Sequence, residues 1–286
     1  MSNCTVSHAI SETTVLGKTT EYVDSYRPDL LYPIERSLGR SALPLKHFQG
    51  YDLWRLYEVT WIDDMGLPHD AVGTLKVPAT SDYIVESKSL KLYVGSFTQT
   101  VFRDAAHVAE TMKKDLDATL KCEVEVELFE VDGTVPAPFS IQADTAVLLE
   151  KEVHLEKPLT VYETDPKLLR LDHEHPALVH ETLSTNLFRS RCPVTGQPDH
   201  ATVTIEYRGP KLEHESLLAY LVSFRHHQGF HEQCAEQIYT DIMLLGTFDA
   251  LVVTCAFTRR GGIDISPVRT SEMSILQNLP ERRYRQ

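Results

Sequence analysis

Two stretches of this chain read alike: Glu86-Ser87-Lys88-Ser89-Leu90-Lys91-Leu92-Tyr93-Val94-Gly95-Ser96-Phe97 and Glu213-His214-Glu215-Ser216-Leu217-Leu218-Ala219-Tyr220-Leu221-Val222-Ser223-Phe224. Both spell E-x-x-S-L-x-x-Y-x-x-S-F, the spacing of an amphipathic helix. Just downstream, Phe102-Arg103-Asp104 answers to Phe230-His231-Glu232, and upstream Gly66-Leu67-Pro68 answers to Gly196-Gln197-Pro198. Three matches in one order at nearly constant offset predict two copies of one module.

Around each copy the layout is the same. In the first, strands are expected at Asp52–Ile62 and His69–Val77 about the turn 63–68, then helices at Ser89–Phe97 and Asp104–Leu120, then a strand at Cys122–Val131. Within that last strand Cys122, Val124, Val126 and Leu128 alternate with Glu123, Glu125 and Glu127, giving one buried and one wet face. The second copy has strands near Leu187–Cys192 and Ala201–Arg208, helices at Glu213–His226 and His231–Leu245, and closing strands at Leu251–Thr258 and Ile263–Ile265. In its second helix Cys234, Ile238, Ile242 and Leu245 form an apolar stripe, which makes Cys234 a core residue. The fold class is therefore α+β, antiparallel sheets each carrying two helices. A first module over 1–160, including an N-terminal extension and connector, and a second over 161–286 are expected. Residues 132–174, with Pro136, Pro138, Pro158 and Pro166, read as the connector and hold strand-like sequence at Thr145–Glu150 and Leu159–Glu163.

The copies differ where chemistry is suspected. Arg191-Cys192-Pro193-Val194-Thr195-Gly196-Gln197-Pro198-Asp199 places a thiol before a turn enforced by two prolines and a glycine. The turn can return Asp199 toward the sulfur, pairing a nucleophile with a proton source. Alignment on the Gly-x-Pro turn sets Cys192 opposite Trp61–Ile62, which offers no nucleophile. Lys88 and Lys91 of the first copy stand where the second has Glu215 and Leu218. A division of labour follows: the nucleophile from the second module, a cationic surface for phosphates from the first.

At 286 residues, with 42% hydrophobic and 24% charged residues, the composition is that of a soluble globular protein. The longest apolar run, Ala250 to Phe257, is too short to cross a bilayer. The opening MSNCTVSHAISETT lacks the basic and apolar regions of a signal peptide. Cys4, Cys122, Cys192, Cys234 and Cys255 are scattered, with no C-x-x-C, which suits reduced thiols and a cytoplasmic location. A formal charge of −13 argues against a nucleic-acid partner and leaves a small phosphate-bearing ligand reasonable.

Glu86 through Tyr93 resembles the signature of the NADPH-dependent 7-cyano-7-deazaguanine reductases, the nitrile reductases of queuosine biosynthesis. The Cys192 to Asp199 turn, Phe224-Arg225-His226-His227 through Phe230-His231-Glu232, and Thr258-Arg259-Arg260-Gly261-Gly262-Ile263-Asp264 are similar to that family's long, two-module subclass. The likeness runs from about Leu16 to Pro267. It implies tandem tunnelling-fold modules and reduction of the nitrile of 7-cyano-7-deazaguanine to 7-aminomethyl-7-deazaguanine with two NADPH. It further implies Cys192 as nucleophile and Asp199 as proton donor. His231 and Glu232, with Val85, Glu86 and Ser87, would hold the base, and Ser87, Lys88, Arg260 and Gly261 would contact NADPH.

The residues suit that chemistry. A nitrile carbon is a soft electrophile, and thiolate addition gives a thioimide that accepts a hydride where the nitrile resists one. Asp199 can protonate the nitrogen only in its neutral form, which at pH 7 costs about 4 kcal/mol for an ordinary carboxyl; burial can offset that. His231 is a candidate proton relay for the second reduction. Glu232 and Glu86 suit a guanine-like pair of N–H donors, although a helix-start glutamate also serves the helix dipole. Lys88, Lys91, Arg259 and Arg260 form the cationic cluster; no G-x-G-x-x-G follows a strand, so NADPH rests on the resemblance. Two alternatives remain. One is a zinc-dependent hydrolase similar to the GTP cyclohydrolases, with Cys192 and His226 or His227 as ligands. H-E-x-x-H fails, however, at Ala235 after His231-Glu232 and at Ala177 after His173-Glu174. The other is a purine- or pteridine-binding module without turnover. A homodimer is expected, because open sheet edges need a partner.

Overall fold

A computed structural model describes residues 23–141, 145–276, 282–283 and 285–286. Cys4, the opening residues read for a leader and the start of the likeness at Leu16 lie outside the described residues. The chain divides into two compact units, Met1–Leu38 with Tyr51–Ser140 and Arg259–Ile265, and Gly39–Gly50 with Ile141–Thr258 and Ser266–Gln286.

In the first unit β1 (Pro33–Glu35) pairs with β4 (Tyr83–Val85). β2 (Gln49–Ile62) and β3 (Pro68–Pro78) form a hairpin, and β5 (Glu125–Glu130) joins β3 antiparallel. Helices α1 (Ser87–Gly95) and α2 (Ala105–Leu120) bury Leu90 and Tyr93, and Val108, Met112, Leu116 and Leu120, and Phe97, just past α1, is buried as well. Their partners in the core include Trp54, Leu56, Val59, Trp61, Leu75 and Val77. Val124 is buried and Val126 and Leu128 are partly so, while Glu123, Glu125 and Glu127 are exposed, matching the expected alternation.

The second unit repeats the plan. β7 (Leu178–Arg191) and β8 (Pro198–Pro210) form the hairpin, β9 (Ala250–Phe257) pairs with β8, and β10 (Ile263–Thr270) pairs with β9 through Val268–Thr270. Helices α3 (His214–Ser223) and α4 (His231–Met243) cover Ala201, Val203, Ile205 and Tyr207. β6 (Val147–Leu148) pairs parallel with β7. Cys234, Ile238 and Ile242 are buried as expected, whereas Leu245 lies past the end of α4 and is only half-buried.

The two motif helices match bond by bond, and the Glu, Ser and Tyr letters of the motif each have a task. Glu86 and Glu213 cap their helices by accepting the amides of Lys88 and Ser89, and of Glu215 and Ser216. The Ser89 and Ser216 hydroxyls donate to the Glu86 and Glu213 carbonyls at 2.7 and 2.8 Å. The same hydroxyls accept the amides of Tyr32 and Arg170, each at 3.1 Å. Tyr93 donates to Asp115 at 2.7 Å and Tyr220 to Asp241 at 2.6 Å. Ser96 and Ser223 each donate to the preceding Tyr carbonyl at 2.6 Å. Both hairpins also carry a register shift in their first strand, between Leu56 and Val59 and between Thr185 and Phe188.

The differences from the sequence reading sit at element ends and in the connector. β7 begins at Leu178, nine residues before its expected start, because residues 178–186 already alternate partly inward opposite β8. Thr145–Glu150 yields only two strand residues before a helical turn at Leu149–Glu152, and Leu159–Glu163 is not a strand. Among the described residues no strand pairs with 159–163, and Pro158 at its head lacks a donor.

One buried pair anchors the loop 259–263 to its unit. Asp264 meets Arg55 at 3.2 Å with both side chains fully buried, and Tyr57 donates to its other oxygen at 2.6 Å. Arg55 also donates to the Pro138 carbonyl at 2.7 Å. Removing one member of such a pair leaves an uncompensated buried charge. Arg55→Met is expected to lower stability by about 3 kcal/mol, read as a shifted denaturant midpoint at unchanged slope.

Candidate active site

In the second unit β7 ends at Arg191 and the chain turns immediately. The Cys192 amide donates to the Gln197 carbonyl at 2.8 Å, and the Gly196 amide donates to the Cys192 carbonyl at 3.0 Å. Gly196 has φ +67, a left-handed conformation that glycine adopts without strain. This closure fixes the register that sets Ser190 opposite Asp199 and Arg191 opposite Pro198. Residues directly opposite each other share a face, as do residues two apart on one strand. Ser190, Cys192 and Asp199 therefore present their side chains to the same side. In a regular ladder such a diagonal step spans about 7 Å between Cα atoms.

That side is the one α4 covers. Asp199 is 5% exposed, and its Oδ2 lies 3.6 Å from His231 Nε2. The His231 ring stacks on Phe257 at 3.8 Å and 18°, which fixes its plane. Glu232, next on the helix, is 4% exposed. Beneath them burial pushes the Cys234 thiol up to about 12, with the Asp199 and Glu232 charges adding to the effect, so this sulfur is held as a neutral thiol. The loop before α4 is tied to the strand that leads into Cys192: the Arg191 amide donates to the His227 carbonyl at 2.9 Å, and the Gly229 amide donates to the Arg191 carbonyl at 3.2 Å.

The first unit shows what the equivalent turn looks like without this set. The Asp63 amide donates to the Leu67 carbonyl and its carbonyl accepts from Gly66, each at 3.0 Å. Asp63, rather than Trp61–Ile62, is thus the counterpart of Cys192; the second turn is longer by one residue, which the Gly-x-Pro alignment hides. The counterpart of Asp199 is His69, 3.1 Å from Asp63 and stacked on Trp61 at 5.6 Å.

The remaining candidates also belong to the first unit. Val85 is buried at the end of β4. Glu86 is 1% exposed; burial raises its carboxyl, although the Lys88 and Ser89 amides and the Ser87 hydroxyl oppose that rise. Ser87 is exposed and Lys88 half-buried on the first turn of α1. Arg260 lies in a tight turn in which its amide and that of Ile263 exchange bonds with each other's carbonyls at 2.9 and 3.2 Å. Arg259 lies over the Tyr57 ring at 4.4 Å. Gly261, at φ +55, meets the Lys91 ammonium so closely that an added Cβ would sit 2.3 Å from Nζ. Here a cavity of about 280 Å³ opens, lined in part by Leu56, Glu58, Thr60, Lys91, Gly261 and Gly262. Glu58, Thr60 and this hollow are not legible in the motif, since they come from a strand 27 or more residues upstream of Ser87–Lys91.

Of the histidines considered as zinc ligands, His226 lies 3.0 Å from Glu163, and His227 lies 3.2 Å from the Thr164 hydroxyl. Among the described residues no three His, Cys, Asp or Glu side chains group as a metal site requires.

Two family models match the chain: "Nitrile reductase, 7-cyano-7-deazaguanine-reductase N-term" over residues 22–128 and "QueF-like protein" over residues 198–274. The class they define is the nitrile reductases. A Coxiella burnetii protein named NADPH-dependent 7-cyano-7-deazaguanine reductase is 40% identical over 292 residues, spanning 100% of both chains. Proteins of the same name from Burkholderia mallei and Burkholderia pseudomallei are 45% identical over 261 residues, covering 90% of this chain and 92% of theirs. The chain belongs to the family of NADPH-dependent 7-cyano-7-deazaguanine reductases. Among the described residues no helix is long and apolar enough to cross a membrane.

Desolvation lowers the His227 imidazole to about 4. Its folded affinity for a proton is thus below that of the unfolded chain, so the stability it contributes is present above pH 6.5 and is lost as pH falls toward 4. Thermal unfolding followed across that window should show a loss on the order of 3 kcal/mol that His227→Gln flattens.

Proposed function

We infer that this protein reduces the nitrile of 7-cyano-7-deazaguanine to 7-aminomethyl-7-deazaguanine with NADPH, through a covalent thioimide on Cys192, in the pathway to queuosine. The observation that carries this is the common face of Cys192 and Asp199, with His231 against Asp199, in a chain of this family. The Cys192 sulfur forms a bond to the nitrile carbon while one C–N π bond breaks toward nitrogen. Asp199 gives its proton to that nitrogen and becomes a carboxylate. Bound NADPH supplies the hydride for each of the two reductions. Between them the C–S bond breaks, returning the thiolate and leaving an imine, and His231 passes a proton to nitrogen in the second reduction. Phe257 beneath its ring supports that role by holding the ring plane.

Glu232 and His231, and in the first unit Val85, Glu86 and Ser87, are the residues read as holding the deazapurine. Burial of Glu232 and Glu86 supports recognition of N–H donors, since a desolvated carboxylate binds them more strongly than an exposed one. For Glu86 the helix cap is a competing use of the same oxygens. The loop at Gly261 suits a phosphate-bearing cofactor, because its φ of +55 favours glycine, which leaves the backbone uncovered, and the Lys91 ammonium lies beside it. Ser87, Lys88, Arg260 and Gly261, with Lys91, would hold NADPH. The paired bonds of α1 and α3, one set before residue 160 and one after, support tandem tunnelling-fold modules over 1–160 and 161–286. β5 pairs on one side only within its unit, which supports assembly as a homodimer. A cytoplasmic location accords with a small-molecule reductase that consumes NADPH.

Cys192→Ala should lower turnover at least 10³-fold, and wild-type protein given the nitrile without NADPH should gain the substrate's mass on the Cys192 peptide; unmodified protein together with an active alanine variant would refute the thioimide. With both reductants present, two NADPH should be consumed per nitrile. Gly261→Ala should raise KM for NADPH about tenfold while the adduct still forms, measured by initial rates and intact mass.

A further inference from the structure

We propose that Glu58 is a binding residue for the cofactor and sets its direction: the carboxylate accepts hydrogen bonds from the 2′- and 3′-hydroxyls of the nicotinamide ribose, while Lys91 takes the phosphate beside them. This inference rests on the reading of the Gly261 loop as the NADPH site given above.

Glu58 owes its place to an irregularity in its strand. The register of β2 shifts between Leu56 and Val59, which takes Tyr57 and Glu58 out of the regular pairing with β3. The Tyr57 amide, released from the ladder, donates to the Gly262 carbonyl at 2.9 Å, so the shift and the glycine loop are tied together. The Glu58 side chain lies against the same loop. A Cβ built on Gly262 would stand 2.4 Å from the Glu58 carboxyl carbon and 2.5 and 2.8 Å from its two oxygens. On the neighbouring residue, Gly261, the corresponding approach is 2.3 Å to Lys91 Nζ. Two consecutive glycines, at φ +55 and +79, thus carry a cation and an anion side by side. Both charged groups line the cavity of about 280 Å³. Among the described residues neither has a hydrogen-bond or ion-pair partner, not even the other.

The second unit supplies the contrast. β7 carries the same shift, between Thr185 and Phe188, with Leu187 in the place of Glu58. α3 has Leu218 in the place of Lys91. The two charges are replaced together, which marks them as a pair with a common use.

The chemistry of the ligand gives that use. A bare phosphate site gains nothing from a carboxylate, which repels the anion. An acid next to an ammonium suits a ligand that offers a phosphate and, beside it, a pair of O–H donors. A ribose with its 5′-phosphate is such a ligand. NADPH contains two riboses, and only the one on nicotinamide keeps both hydroxyls, because the adenosine ribose bears the 2′-phosphate. A carboxylate accepts a ribose diol and rejects a phosphate on the same carbon, as acidic residues do in other dinucleotide sites. Glu58 therefore takes the nicotinamide half. The cavity is at the lower edge of the size of ligand pockets, which suits part of a dinucleotide.

The test uses the full-length protein, with NADPH binding read by fluorescence titration and the kcat/KM values for NADPH and NADH read with 7-cyano-7-deazaguanine. Glu58→Gln, which keeps the shape and removes the charge, should weaken NADPH binding about tenfold. The preference for NADPH over NADH should stay within twofold of the parent, because the two cofactors share the nicotinamide half. Lys91→Ala should weaken NADPH binding as well. Glu58 is exposed, so its variant should melt at the parent temperature. Unchanged NADPH binding by Glu58→Gln, with Lys91→Ala still weakened, would overturn this inference alone. So would a Glu58→Gln protein with a raised preference for NADPH, since that places the carboxylate at the adenosine ribose. NADPH binding unmoved in both variants would overturn it together with the reading of this loop as the cofactor site.

Discussion

Everything proposed for the second unit depends on the register of one hairpin. Side chains alternate along a strand, so a slip of one residue between β7 and β8 would carry Asp199 to the wet face and leave Cys192 without an acid. The closure Cys192–Gln197 and Gly196–Cys192 prevents this, and the shift between Thr185 and Phe188 re-aims the strand just before the turn. The backbone bonds from Arg191 to His227 and Gly229 extend the same constraint to the loop that delivers His231. The placement of Cys192, Asp199 and His231 is set by main-chain hydrogen bonds first and by side chains second.

The matched helices show which contacts recur in both units. The Glu cap, the two serines and the Tyr–Asp bond recur with distances agreeing to about 0.1 Å, and none of these by itself distinguishes the second unit from the first. The proposed chemistry draws instead on the turn and the start of the second helix. There the copies exchange Asp63 for Cys192, His69 for Asp199 and Trp61 for Ser190. Glu86 is where scaffold and function overlap. Its carboxylate caps α1 from within a buried site, so any contact it makes to a ligand draws on oxygens already accepting two amides.

Much of this was legible in the sequence, for identifiable reasons. Helix periodicity and the repeated motif located α1 to α4 within a few residues, and the proline–glycine turn marked Cys192. The family likeness supplied the reaction. Three things could not be read. The one-residue difference between the two turns is invisible to a Gly-x-Pro alignment, because it is set by which carbonyl closes the loop. The start of β7 at Leu178 follows from tertiary pairing with β8 and not from local propensity. The cavity at Lys91 joins a helix, a strand and a loop 170 residues further on, a distance no motif spans.

Neither unit is continuous along the chain, and this bears on how the protein emerges from the ribosome. The first unit keeps its last piece, Arg259–Ile265, near the end of the polypeptide, and Asp264 in that piece is the partner of Arg55 more than two hundred residues earlier. A nascent chain therefore holds the Arg55 guanidinium without its counter-ion for most of synthesis. The second unit has the mirrored arrangement: Arg40, translated early, waits for Glu236. A chain cut short before Glu236 would lack both acidic partners, leaving each early arginine without the carboxylate it meets in the folded unit.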